Sequence, residues 1–122
     1  MSKLAEMDRT VTLFEQLREE GGPVTLVNTL VVSPDDADQL LAVWATDAAI
    51  MKRQPGFIST QLHRGIAGSG TFLNYAVWET VAHFRAAFGK PEFQAQLGHY
   101  PEGMIASPHL FRPVAVSGIC VA

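Results

Sequence analysis

FISTQLHR-GIAGSG-TFLNYAVW, residues 57–78, reads as two strands and the turn between them. FISTQLHR (57–64) alternates in polarity, and TFLNYAVW (71–78) is rich in aromatic and aliphatic residues. With the glycine-rich GIAGSG (65–70) between them, the pattern predicts a hairpin. The glycines lack a G-x-G-x-x-G frame and open no helix, so they have no phosphate-cradling role. In the second strand, a period of two puts Phe72, Asn74, Ala76 and Trp78 on one face. Thr71, Leu73, Tyr75 and Val77 take the other. A polar amide and an indole N–H therefore share a face with apolar neighbours, and the rest of the chain has to account for them.

Upstream, VTLVNTLVV (24–32) predicts a β-strand that is apolar on both faces, with Asn28 between Leu26 and Leu30. SPDDADQLLAVWATDAAIMKRQ (33–54) predicts a helix with Ser33 as N-cap, Pro34 at N1 and Asp35 and Asp36 at the positive end of the dipole. Leu40, Leu41, Trp44, Ala48 and Met51 form its apolar stripe, Lys52 and Arg53 close it, and Pro55-Gly56 stops it. Downstream, ETVAHFRAAFG (79–89) predicts a short helix with Phe84 and Phe88 one turn apart. Pro91 starts a second helical piece, EFQAQLGHY (92–100). A loop over 101–108 then leads to a last strand, HLFRPVAVSGI (109–119), whose Pro113 implies an edge or a bulge.

The order strand, helix, strand, strand, helix, strand is the split βαβ, or ferredoxin-like, arrangement: an α+β fold with a four-stranded antiparallel sheet. It accounts for residues 23–122. Residues 1–22 form an N-terminal arm with a short helix in TVTLFEQLREEGG (10–22), where Leu13, Phe14 and Leu17 share a face and Gly21-Gly22 ends the turn. Helices cover only one face of such a sheet. A second copy of the sheet is the simplest cover for the other, giving a homodimeric α/β barrel with Tyr75 at the interface.

Composition narrows the function. The 122 residues are 48% hydrophobic and 17% charged, with a net charge of −3, which is a globular domain with no basic stripe for nucleic acid. A single cysteine, Cys120, fits a reducing cytoplasm, and no apolar run reaches membrane-spanning length. The four histidines, at 63, 83, 99 and 109, have no metal-ligand spacing and no cysteine or carboxylate cluster beside them. His83 belongs on an exposed helix face. His63 and His109 sit at strand ends and could rim a pocket. Arg64 and Arg112 read as surface or interface charges. Two amides in apolar strands, Asn28 and Asn74, carry more information, because burying an amide without a partner costs about 1–3 kcal/mol. An apolar cavity with a few convergent polar groups is what a small-molecule pocket looks like.

The motifs Pro55-Gly56-Phe57, Gln61-Leu62-His63-Arg64, Asn74-x-x-x-Trp78-Glu79, Phe84, Pro91-Glu92-Phe93 and Tyr100-Pro101 resemble the antibiotic biosynthesis monooxygenases over about residues 23–116. The resemblance implies a dimeric α/β-barrel oxygenase that uses O2 without flavin, haem or metal. Its substrate would be an electron-rich aromatic such as a phenol, hydroquinone or anthrone, oxidised to a quinone. It makes Asn74 and Trp78 the catalytic pair and places Asn28, Phe72, Trp44, His63 and Phe84 around the substrate. A haem-degrading branch of the same fold is similar at Asn28. Registered on Val77-Trp78-Glu79, however, the tryptophan and axial histidine of that branch fall on Ala87 and Leu97, with His99 two residues further on. A third reading is a non-catalytic, ligand-binding stress-response dimer.

Overall fold

The computed structural model describes residues 2–122. The elements are β1 (Lys3–Leu4), α1 (Leu13–Gln16), β2 (Val24–Val31), α2 (Ala37–Lys52), β3 (Phe57–Arg64), β4 (Thr71–Trp78), α3 (Val81–Phe88), α4 (Pro91–Gln96) and β5 (Ile105–Phe111). The strands form one sheet in the order β1-β5-β2-β4-β3. Its centre is the antiparallel pair β2 and β4, in register from Val24 opposite Trp78 to Val31 opposite Thr71. β5 flanks β2 and β3 flanks β4, both antiparallel, which is the ferredoxin-like arrangement. The sheet does not close on itself.

Several sequence expectations need correction. The last strand runs over Ile105–Phe111, not 109–119. IASPHLF already alternates: Ala106, Pro108 and Leu110 stand opposite Leu30, Asn28 and Leu26. Pro108 is tolerated because β1 pairs only with Ile105 and Ala106, so β5 is an edge beyond that point. Residues from Arg112 onward leave the sheet. The sheet also has five strands rather than four, since β1 adds to β5 in parallel. Finally, the helix expected over 10–22 shrinks to Leu13–Gln16, capped by the Thr12 hydroxyl. Leu13 and Leu17 are buried, but Phe14 is exposed.

The arm is nevertheless held to the sheet through its polar groups. Gln16 is buried, and its Oε1 accepts the Leu110 amide N–H at 2.6 Å. Its Nε2 donates to the Val11 carbonyl and lies 3.0 Å from His109 Nδ1.

At the start of α2, Ser33 makes no side-chain cap. Pro34–Asp36 instead form a single 3₁₀ turn, closed by the Asp36 N–H on the Ser33 carbonyl at 2.9 Å. Leu40 of the expected stripe is buried and Leu41 is exposed. Gly56 ends the helix at φ +84°, and a Cβ there would strike the His83 ring. His83 is accordingly half-buried rather than exposed, with Nδ1 2.8 Å from the Thr80 hydroxyl that caps α3.

The core lies on the inner face of the sheet, in two clusters. One gathers Leu13, Leu17, Val24, Leu26, Trp78 and Phe84; the other gathers Leu30, Val32, Leu40, Phe72 and Met104.

Candidate active site

Between the inner face of the sheet and α2, α3 and α4 is an apolar cavity of about 150 Å³. An apolar cavity of roughly this size admits a benzene ring. The β2–β4 register brings Asn28 and Asn74 directly opposite one another on its floor. Asn74 is partly satisfied: its Oδ1 accepts the Thr60 hydroxyl of β3 at 2.6 Å. Asn28 Oδ1 is buried with no partner, and so is the indole Nε1 of Trp78.

Trp78 is 1% exposed and fixed by edge-on aromatic contacts, with Phe57 at 5.4 Å and Phe84 at 5.7 Å between centroids. Packing therefore dictates where its N–H points. A buried polar group left unpaired costs about 1–3 kcal/mol, and native interiors rarely leave one. Two of them, one acceptor and one donor, lie in the same apolar cavity.

The opposite wall comes from α2. Trp44, Asp47, Ala48 and Met51 recur at helical spacing and line the cavity. Asp47 is an acid at a core position. It is 4% exposed, and neither carboxylate oxygen has a hydrogen-bond partner. Burial drives its pKa up from the ordinary carboxylate value to about 6; the nearby Tyr100 hydroxyl and the charge of His99 oppose that shift without cancelling it. Tyr100 is pushed upward in turn, first by burial and then by Asp47, so it stays a neutral phenol. The two groups influence each other without a hydrogen bond of good geometry. Leu4 of β1 also lines the cavity, so the arm contributes to its wall.

Of the seven residues named from sequence, Asn28, Trp44, Asn74, Trp78 and Phe84 line this cavity. Phe72 is buried in the second core cluster, with the Arg64 guanidinium over its ring. His63 is exposed on β3, 3.4 Å from the Leu73 carbonyl. Neither Phe72 nor His63 is on the cavity wall. His99 is exposed on the 3₁₀ turn Leu97–His99, with Nδ1 3.2 Å from Gln96 Oε1, and is not on the cavity wall. Sequence reasoning missed Thr60, Asp47 and Tyr100. The signal for Asp47 was its spacing, three residues after Trp44 and four before Met51, inside a stripe read as wholly apolar.

Among the described residues, no group of three or more His, Cys, Asp or Glu side chains could hold a metal ion, and no helix is long and apolar enough to cross a membrane.

The family model for antibiotic biosynthesis monooxygenases matches residues 23–96. The deoxynogalonate monooxygenase of Streptomyces nogalater is 37% identical over 70 residues, 57% of this chain and 58% of that protein, so the match spans little more than half the relative's length. Among solved structures, SnoaB from Streptomyces nogalater, a cofactor-independent oxygenase, superposes with a TM-score of 0.66 at 28% identity, over 82% of this chain and 98% of SnoaB. A Shewanella loihica protein superposes with a TM-score of 0.67 at 32% identity, over 79% of this chain and 98% of that one.

Proposed function

The chain belongs to the antibiotic biosynthesis monooxygenase family, and from that premise we propose that it is a cofactor-independent monooxygenase. In this reading it oxidises an electron-rich aromatic, a phenol, hydroquinone or anthrone, to a quinone with O2. One observation carries the reading: Asn28 faces Asn74 on the floor of an apolar cavity, while Asn28 Oδ1 and Trp78 Nε1 have no protein partner. The relatedness to a cofactor-independent oxygenase supports the same chemistry.

The reaction needs no redox centre in the protein if the substrate is the reductant. An acidic CH2 flanked by aromatic rings loses a proton and becomes a carbanion, delocalised as an enolate. The anion gives one electron to O2, leaving a substrate radical and superoxide. These combine to a peroxide anion, which takes up a proton. Loss of water from the hydroperoxide leaves a carbonyl, so CH2 and O2 become C=O and H2O.

The protein excludes water, orients the rings and stabilises charge as it moves from carbon to oxygen. Trp78 Nε1–H and the Asn74 amide are the donors assigned to that charge. Asn28 orients the substrate, and Trp44 and Phe84 form the walls against its rings. The catalytic domain in this reading is residues 23–122, with residues 1–22 as an arm. Two copies pair through their outer sheet faces to form the barrel.

The test is O2 uptake by purified protein with a panel of anthrones and hydroquinones. Uptake well above the uncatalysed rate is expected, falling at least about 100-fold in kcat/KM in Asn74→Ala and Trp78→Phe. Uptake equal to the uncatalysed rate on every member would sink the proposal.

A further inference from the structure

We propose that Asp47 is the general base of this cavity, the carboxylate that receives the acidic proton of the aromatic ligand. The inference rests on the monooxygenase reading and adds the group that reading lacks. Carbanion formation has to put a proton somewhere. The two amides are not bases, and the indole and amide N–H groups only donate. Among the residues lining the cavity, the titratable ones are Asp47 and Tyr100. Tyr100 is held neutral by burial and by Asp47, so it cannot take up a proton.

Asp47 has the geometry of an acceptor in waiting. It projects from the middle of α2 between the ring walls Trp44 and Met51, is almost fully buried, and has both oxygens unpartnered. The Tyr100 hydroxyl is the side-chain donor that acts on it, and no salt bridge among the described residues holds it. The groups facing it from neighbouring elements are few. Tyr100 and His99 approach from beyond α4. α4 itself presents Phe93 to the cavity, while its Glu92 pairs with Arg53 at the surface. β3 presents Phe57 and Thr60.

Burial raises the basicity of the carboxylate, and a base is most effective when its pKa approaches the working pH. In the reaction the C–H bond breaks toward Asp47 Oδ and the electron pair stays on the ligand. After O2 has been reduced and has recombined with the ligand radical, the same proton returns to the peroxide anion. Asp47 then takes the second C–H proton as the O–O bond breaks and hydroxide departs, and it passes that proton to the hydroxide, so that water is released and the carboxylate is restored.

The experiment compares wild type, Asp47→Asn and Asp47→Glu in two assays on the intact chain. The first is the pH dependence of O2 uptake with anthrone. Wild-type kcat/KM should rise with pH through a limb near pH 6, where the raised carboxyl ionises. Asp47→Asn should lose about 100-fold or more together with that limb, and Asp47→Glu should keep the limb at a reduced rate. Wild-type turnover with Asp47→Asn equally active and the limb unchanged would overturn the assignment and leave the function standing.

The second assay needs no turnover: equilibrium binding of 2-naphthol and of its methyl ether at pH 5 and pH 7.5. Ionised Asp47 should tighten naphthol binding several-fold at the higher pH, leave the ether unaffected, and lose the effect in Asp47→Asn. If wild type consumes no O2, the function reading fails and this assay alone decides. The pH-linked preference for the hydroxyl keeps Asp47 as the cavity's proton acceptor. Binding that is independent of pH and of Asp47 rejects it.

Discussion

The two faces of the central sheet violate opposite expectations. The inner face, which should be apolar, carries Asn28 and Asn74 opposite one another and looks across the cavity at Asp47. The outer face, which should be polar if it met water, leaves Val31, Tyr75 and Phe111 exposed, with Tyr75 at 47%. Polar groups inside and apolar groups outside both cost stability in an isolated chain. Where sequence and environment disagree locally, a functional contact is the usual reason. Inside, the missing partners are a donor and an acceptor, the kind a small molecule brings. Outside, the missing partner is apolar area, the kind a second sheet brings.

Asp47→Asn probes the inner face and has the largest expected effect on stability. The native carboxyl titrates near pH 6 because burial raises it from 3.8. Between those values the native state holds the proton more often than the unfolded chain, so stability falls as pH rises across that window. Above it the cost levels off at about 3 kcal/mol. The asparagine does not titrate. The variant should match wild type at pH 3.5 and be more stable by about 2–3 kcal/mol at pH 8, read from denaturant midpoints. A constant difference across that range would mean that Asp47 is not desolvated as the structure has it.

Tyr75→Asp probes the outer face. If a second copy covers Tyr75, a charge there must be desolvated without a partner. Dimer dissociation should then rise by about 30-fold or more, or about 2 kcal/mol, by analytical ultracentrifugation. A monomeric wild type, or a dimer indifferent to the charge, would break the comparison on this side. Next in size is Asn74→Ala. The amide's partner is a side chain, the Thr60 hydroxyl, rather than buried backbone. Its loss should cost about 1 kcal/mol of stability, far less than the same variant's effect on turnover.

Much of this was legible in the sequence because the sheet announces itself by period. The β-branched run at 24–32, the alternation at 57–64 and the glycine-rich turn before 71–78 fix strands and hairpin, and a period of two then places Asn28, Asn74 and Trp78 on definite faces. The boundaries of β5 were harder to see. With Pro108 and Pro113 five residues apart, the proline inside the strand was taken for loop and the one beyond it for strand. Pro108 is allowed only because β1 is too short to reach it, a tertiary fact. β1 itself is two residues long and carries no pattern. Asp47 was missed for a different reason. A helical stripe is read by its apolar members, so Leu41 was counted into it although it is exposed, and the buried carboxylate between Trp44 and Met51 was not considered. Thr60 had no sequence signal, and Tyr100 entered only as part of the Tyr100-Pro101 motif with no role attached, since both roles depend on which strand and which loop meet the cavity.

Asn28→Leu should have the smallest effect on stability and separates the two readings of the inner face most directly. Its Oδ1 is buried with no partner, so removal breaks no bond to that atom. Leucine is close to asparagine in side-chain shape, and Leu26 and Leu30 on the same face already line the cavity. If the amide is there for a ligand, the substitution should be neutral or stabilising by up to about 1 kcal/mol, while substrate binding weakens by at least about tenfold. If instead Asn28 serves the fold through contacts made in solution, the variant should lose about 1–3 kcal/mol with no selective loss of binding. The sign of a change this small therefore decides whether the unpaired amide on the cavity floor belongs to the fold or to the ligand.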